Sequence, residues 1–368
     1  MKFKVAPNID TLVPYPPGKP LEELEREYGI SGSIKLASNE NAWGPSPKAV
    51  AAIKESLGNL HRYPDGSCYY LSQNLSKKTG MQPDEIIFGN GSNEIIGLLV
   101  AAFLQPGEEV VTSHPTFLMY QKFVQIQGGT NKVVELKDMH HDLAGILAAV
   151  TEKTRLIFLD IPNNPTGTIV DKQAFDSFLE QLPERVIVVL DEAYVDFVDP
   201  EVRIDAQSYI RQQKPVAVLR TFSKAYGLSG LRLGYGLMPA EITGYLNRVR
   251  QPFNVNSLAQ VGGLAALEDE EYYQLTLQRT RQGIFWLSQE VAKLGCRPLP
   301  THTNFFLIDI GGEAKKLYEH MLHKGVIVRP MQAYGYPNFI RITVGQEHEN
   351  QRFVKALAES LQELGYGN

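Results

Sequence analysis

Between about residues 85 and 240 the chain repeats one pattern, a short β-branched run followed by a helix-like stretch. The runs are EIIF, EVVTS, KVVEL, RLIFLDIP, RVIVVLDEAY, VAVLRTFSK and LRLGYGLM. Alternation of this kind predicts βαβ units and an α/β fold. Val186 to Leu190 is apolar at every position, where a half-exposed strand would alternate, so helices are expected over both faces. The expected core is a large domain with a mostly parallel central sheet flanked by helices. After about residue 241 longer helical stretches take over, followed by three strand candidates, NFFLIDI, GVIVRP and NFIRITVG, which predict a smaller α+β domain. Phe353, Leu357, Leu361 and Leu364 then recur at helical spacing ahead of Gly365, as in an amphipathic helix with a glycine cap. The first 45 residues, rich in Pro and Gly around LEELEREYG, read as an arm with one short helix. Boundaries are expected at 1–35 for the arm, 36–280 for the large domain and 281–368 for the small one.

With 368 residues, about two domains fit the length. The balance of 36 Lys+Arg against 41 Asp+Glu lacks the basic excess of a nucleic-acid binder, so no such partner is expected. Cys68 and Cys296 stand in unrelated contexts, which supports neither a disulfide framework nor a Cys-rich zinc site and suits a reducing cytoplasm. Ile95 to Leu104, the longest apolar run, has ten residues, whereas a bilayer span needs about 20. The first residues hold no continuous apolar stretch of the secretory kind. No membrane association is expected.

Four segments carry chemistry. In RTFSKAYGLSGLRLGY, Lys224 lies just past an apolar strand beside the hydroxyls of Thr221 and Ser223, with Arg232 eight residues on. Together they form a phosphate-sized set of donors next to an amine, which is what a phosphorylated aldehyde cofactor needs. In DEAY, Asp191 falls at the carboxyl end of a strand, where open α/β sheets place ligands. Held in an apolar sheet end, it needs a cationic partner to stay ionised, and a protonated pyridine nitrogen is one, with Tyr194 donating to the ring hydroxyl. PNNPTG, by itself a Pro/Asn/Gly turn, follows another strand. GNGSNE fails the dinucleotide glycine pattern because Glu94 takes the third glycine position, but a glycine turn at a helix N-terminus still favours a phosphate. Phe117 reads equally as a stacking wall for a planar ring and as a core phenylalanine.

Asn164, Asp191, Tyr194, Lys224 and Arg232 occur in the order seen in fold-type I pyridoxal-phosphate aminotransferases, a family the chain resembles. More narrowly, SNENAWGPSP, RYPDG, FGNGSNE, LDEAYVDF, RTFSKAYGLSGLRLGY, GVIVRP and IRITVG resemble the histidinol-phosphate aminotransferases over almost the whole chain. The resemblance implies pyridoxal 5'-phosphate carried by Lys224, Asp191 on its pyridine nitrogen, and Asn164 with Tyr194 on its ring oxygen. It places Gly91, Ser92, Ser223 and Arg232 around the cofactor phosphate and Phe117 against the ring, at a position often tyrosine in relatives. Tyr63 in RYPDG then resembles the residue that reaches the cofactor phosphate of a neighbouring subunit, which implies a homodimer with shared sites and an arm that adds to it.

Arg341 in IRITVG resembles the arginine that grips a substrate carboxylate or phosphate, chemistry that a guanidinium fork suits. Arg329 reads either as its assistant or as a strand-end surface charge. Tyr15 and Asn39 in the arm are further candidates for substrate contact. His320 and His323, three apart near a helix end, are read as C-terminal helix charges, and no metal is expected. The implied reaction moves an amino group between histidinol phosphate and glutamate or 2-oxoglutarate, small molecules both, in histidine biosynthesis. An aromatic aminotransferase or a decarboxylase of phosphorylated amino acids shares the cofactor motifs, and a non-catalytic binding protein is the rival from another class.

Overall fold

A computed structural model describes residues 3–14 and 18–366. After a short strand β1 (Ile34–Lys35), seven strands form the largest sheet: β2 (Ile86–Asn90), β3 (Glu109–His114), β4 (Thr130–Glu135), β5 (Thr154–Asp160), β6 (Ile187–Asp191), β7 (Val216–Thr221) and β8 (Leu233–Leu237). These are the seven runs expected from the sequence. Their order is β2-β8-β7-β6-β5-β3-β4, parallel throughout except for β8, which runs antiparallel to both β2 and β7. Alternate residues of β6 feed two different cores: Val188 and Leu190 pack with Phe175 and Phe222, while Ile187 and Val189 pack with Ile95 and Tyr120. Over Ile187–Leu190 the strand has an apolar neighbourhood on each face, and its polar residue, Asp191, comes only at its end. Each apolar side chain of that run contributes about 1.5–3 kcal/mol by burial.

The remaining strands are β9 (Arg297–Pro298), β10 (Phe305–Asp309), β11 (Val326–Ile327), β12 (Arg329–Pro330) and β13 (Phe339–Thr343). An antiparallel sheet ordered β12-β13-β10-β9 packs on the final helix, Glu347–Leu364, through Phe306, Ile340, Phe353 and Leu357. That helix ends at Gly365 in the left-handed conformation, as the sequence predicts. GVIVRP, read as one strand, is split. Val326–Ile327 pairs in parallel with β1, and Arg329–Pro330 pairs with β13 at the sheet edge. Pro330 lacks an N–H to donate and is suited only to an edge, so the chain changes partner around Val328.

The helix of the arm, Leu21–Tyr28, forms where LEELEREYG predicts it and buries Leu24 against Ile327 and Leu322. Further upstream, Asn8 and Gln125 exchange side-chain to backbone hydrogen bonds of 3.0 Å, which tie the start of the arm to the helix Met119–Gln127. One 24-residue helix, Glu270–Lys293, places Leu277 beside Tyr194 and Phe305, and Leu287 and Val291 in the core of the smaller sheet. No helix among the described residues is long and apolar enough to cross a membrane.

Candidate active site

Strands β5, β6 and β7 run parallel and end on one side of the sheet, with Asp160 paired in register with Asp191. The turn after β7 carries Ser223 and Lys224, and from the other side β2 leads through Gly91 into the helix Ser92–Phe103. The cavity between them is lined by Ser92, Phe117, Asn164, Asp191, Tyr194, Ser223, Lys224 and Arg232, eight of the residues singled out in the sequence. This is the carboxyl edge of the parallel strands, where such sheets bind ligands.

One end of the cavity is built for an anion. The helix Ser92–Phe103 starts there, so its free N–H groups and positive dipole end face in. Gly91 has φ +77°, and a Cβ added to it would lie 2.4 Å from Arg232 Nη2, so the guanidinium rests against the helix start. Gly234 plays the matching part on β8, where a Cβ would lie 2.2 Å from the Ser92 nitrogen. Thr221 and Ser223 add hydroxyls, 2.9 Å apart. Glu94, which breaks the dinucleotide pattern, closes the turn by accepting from the Asn90 N–H at 2.6 Å and from Asn254 at 2.7 Å.

The same cavity holds the acid and the amine. Asp191 is buried, accepts from Tyr120 at 2.9 Å and from the Ala193 N–H at 3.1 Å, and burial pushes its carboxyl up to about 7, with Asp160 adding to the rise. A cation in the cavity would reverse that cost. Burial, then the charges of Arg341 and Arg232, lower Lys224 to about 8, which brings an uncharged, nucleophilic amine within reach of neutral pH. Its Nζ lies 5.6 Å from the centre of the Tyr194 ring.

Asn164 and Arg341 meet directly: Arg341 Nη1 donates to Asn164 Oδ1, and Nη2 donates to the Ala37 carbonyl at 3.1 Å. Arg341 is buried with its guanidinium 5.0 Å from the Phe305 ring centre. Arg329 faces Arg341 across the β12–β13 pair, so two guanidinium side chains start from neighbouring strand positions. Asn39, buried with φ +56°, donates to the Tyr194 hydroxyl at 2.8 Å and accepts from Thr343 at 3.1 Å; its side chain is engaged in orienting Tyr194. Tyr15 lies outside the described residues. Tyr63 is not brought to this cavity; it is 83% exposed and stacks on Phe253 at 4.8 Å. His320 pairs with Glu363 at 2.8 Å and His323 packs edge-on to Tyr28. Among the described residues no group of three or more His, Cys, Asp or Glu is placed to hold a metal.

Two contributors escaped the sequence reading. Tyr120 holds Asp191, and Asp160, buried at the end of β5, accepts from Thr116, from Asn163 at 3.1 Å and from the Asn164 N–H at 2.8 Å. Asp160 stands just ahead of the PNNPTG turn and aligns with Asp191 in the sheet, a signal that strand-end comparison would have found.

An anion cradle, a buried acid and a lysine lining one cavity fit a phosphorylated pyridine aldehyde, and the fold with this site places the protein in the class of pyridoxal-phosphate enzymes. A family model described as aminotransferase class I and II matches residues 31–357. The histidinol-phosphate aminotransferase of Desulfotalea psychrophila is 61% identical over 369 residues, spanning 100% of this chain and 97% of that one. That of Moorella thermoacetica is 46% identical over 96% of this chain and 92% of its own. The crystal structure of histidinol-phosphate aminotransferase from Sinorhizobium meliloti in complex with pyridoxal-5'-phosphate is 29% identical and superimposes with a TM-score of 0.91, covering 99% of each chain. The chain belongs to the class I and II aminotransferase family, on its histidinol-phosphate branch.

Proposed function

We propose that this protein uses pyridoxal 5'-phosphate to move an amino group between histidinol phosphate and glutamate or 2-oxoglutarate in histidine biosynthesis. The observation that carries the reading is the identity of 61% over the full length to a histidinol-phosphate aminotransferase, joined to a cavity that contains an amine, an acid and an anion cradle. When bound, the cofactor supplies an electron sink that lets the substrate Cα give up its proton. In this assignment Ser92, Ser223, Arg232 and the backbone at Gly91 hold the cofactor phosphate. Asp191 pairs with the ring nitrogen, Asn164 and Tyr194 donate to the ring oxygen, and Phe117 supports the ring face. Lys224 would hold the cofactor and would move a proton at the substrate Cα.

The two substrates carry different anions, a carboxylate and a phosphate, and a guanidinium accepts either in a bidentate fork. Arg341 is assigned that grip with Arg329 beside it. The assignment includes the division at 36–280 and 281–368, a homodimer in which Tyr63 reaches the partner's site, and a cytoplasmic location. Support for the dimer comes from Leu57, Leu60, Tyr63, Tyr69, Tyr70 and Phe253, all exposed on the single chain. Support for a reducing compartment comes from Cys68 and Cys296, both buried and unpaired. The test is incubation with histidinol phosphate and 2-oxoglutarate. Glutamate formation is expected, whereas release of carbon dioxide from threonine phosphate without glutamate would replace this reading with a decarboxylase.

A further inference from the structure

Asp191 is held by a residue from outside its own motif. Tyr120, in the helix Met119–Gln127, is completely buried and its hydroxyl donates to Asp191 Oδ2 at 2.9 Å. Its ring stacks on Phe158 of β5 at 4.9 Å with an interplanar angle of 7°, and meets Phe117 edge-on at 5.5 Å. These two contacts pack the ring, while the hydroxyl itself is held by its bond to Asp191. The other carboxylate oxygen, Oδ1, accepts from the backbone N–H of Ala193. We infer that Tyr120 is a positioning residue for the transfer reaction, which aims the Asp191 carboxylate at the cofactor ring nitrogen and favours its charged form at neutral pH. The inference rests on the assignment of Asp191 to that nitrogen.

The physical case is a balance of neighbours. Asp191 faces Asp160 from β5, Glu192 next in the chain, Tyr194 beyond the turn, Tyr120 from the helix and Lys224 from the turn after β7. Burial and the two acids oppose ionisation; the Tyr120 hydroxyl and the Ala193 N–H favour it. The Tyr120 hydroxyl on Oδ2 and the Ala193 N–H on Oδ1 both favour the charged carboxylate that a ring-nitrogen cation would meet. The same tyrosine touches Phe117, so the acid and the wall proposed for the ring face share one support.

The test is a titration of pyridoxal-phosphate affinity, read by absorbance from pH 6 to pH 9, for the wild-type protein and for Tyr120→Phe, which removes one oxygen and leaves the ring. The variant is expected to bind roughly tenfold more weakly at pH 7, with the gap narrowing toward pH 9, where the carboxyl ionises without help. Phe158→Leu is the companion; it loosens the stack, lowers the melting temperature and keeps the wild-type pH profile. Superimposable profiles for Tyr120→Phe and wild type overturn the inference. So does a Phe158→Leu profile displaced as far as that of Tyr120→Phe, since packing alone would then explain the effect. Wild-type protein that binds no cofactor at any pH overturns the assignment of Asp191 and the inference with it.

Discussion

At the strand ends Asp191, Tyr194 and Asn164 each have hydrogen-bond partners within the chain, and Lys224 lies among them. On the surface that carries RYPDG, Tyr63 stands exposed with Phe253 against one face. The contrast follows from what holds each residue. Sheet register fixes Asp160 opposite Asp191, so chemistry placed at the strand ends is assembled as soon as the sheet forms. Tyr63 sits in a loop without such register, and the proposed partner chain is what would give it a place in a site.

The largest expected effect tests the inner region. Lys224→Ala should lower turnover on the order of 10⁴-fold, because the proposed mechanism asks one side chain both to hold the cofactor and to move the proton. Pyridoxal phosphate should still bind without a covalent bond, since the helix start at Ser92 and Arg232 is intact. Spectral titration of the variant checks this, and near-normal turnover would refute the mechanism. Arg341→Ala should cost roughly 100-fold in kcat/KM, the loss of charged hydrogen bonds to the substrate. Measured with both substrates, the loss should be shared; a defect confined to one of them would break the common grip.

The contrast between the two regions also explains what the sequence could reveal. The central strands of the large sheet were legible because a strand covered on both faces is apolar at successive positions, as β6 is over Ile187–Leu190, and the edge strand β4 through its β-branched pair Val133 and Val134. Lys224, Asp191 and Asn164 were legible because each lies in a short motif next to such a strand. Tyr120 was not, since its partner is 71 residues away and its helix reads as ordinary amphipathic sequence. Asn39 was found as a candidate, but its left-handed backbone and its bond to Tyr194 depend on Thr343 and Asn304, which come from the far end of the chain. Contacts that long in sequence leave no periodic trace. GVIVRP misled because its apolar pattern says strand without saying which sheet.

A smaller effect probes the outer surface. Tyr63→Ala should weaken cofactor binding about tenfold, the value of one charged hydrogen bond. Assayed at a cofactor concentration that leaves Tyr63→Ala dimers largely empty, a mixture of Tyr63→Ala and Lys224→Ala chains, after reversible dissociation, should restore activity to roughly a quarter of the sites, because each mixed dimer rebuilds one complete site. An absence of restored activity would show that Tyr63 acts within its own chain or not at all, and the distinction between the two regions would fail.

The smallest effect is a displacement along the pH axis. Lys224 is lowered to about 8, so the uncharged amine that attacks an aldehyde forms across that value, whereas an ordinary lysine near 10.5 remains charged. Cofactor fixed by borohydride in a short exposure should therefore rise from about pH 7 to about pH 9, with its midpoint near 8. The same lowered value means that between about 8 and 10.5 the unfolded chain holds a proton the folded one has released. This group should then make the cofactor-free protein more stable as pH rises through that window. Arg341 is the second cause of the lowering, after burial, and its removal should move the labelling midpoint upward. A midpoint that stays in place in Arg341→Ala would mean that burial alone sets the amine, and that the substrate grip and the amine are electrostatically independent.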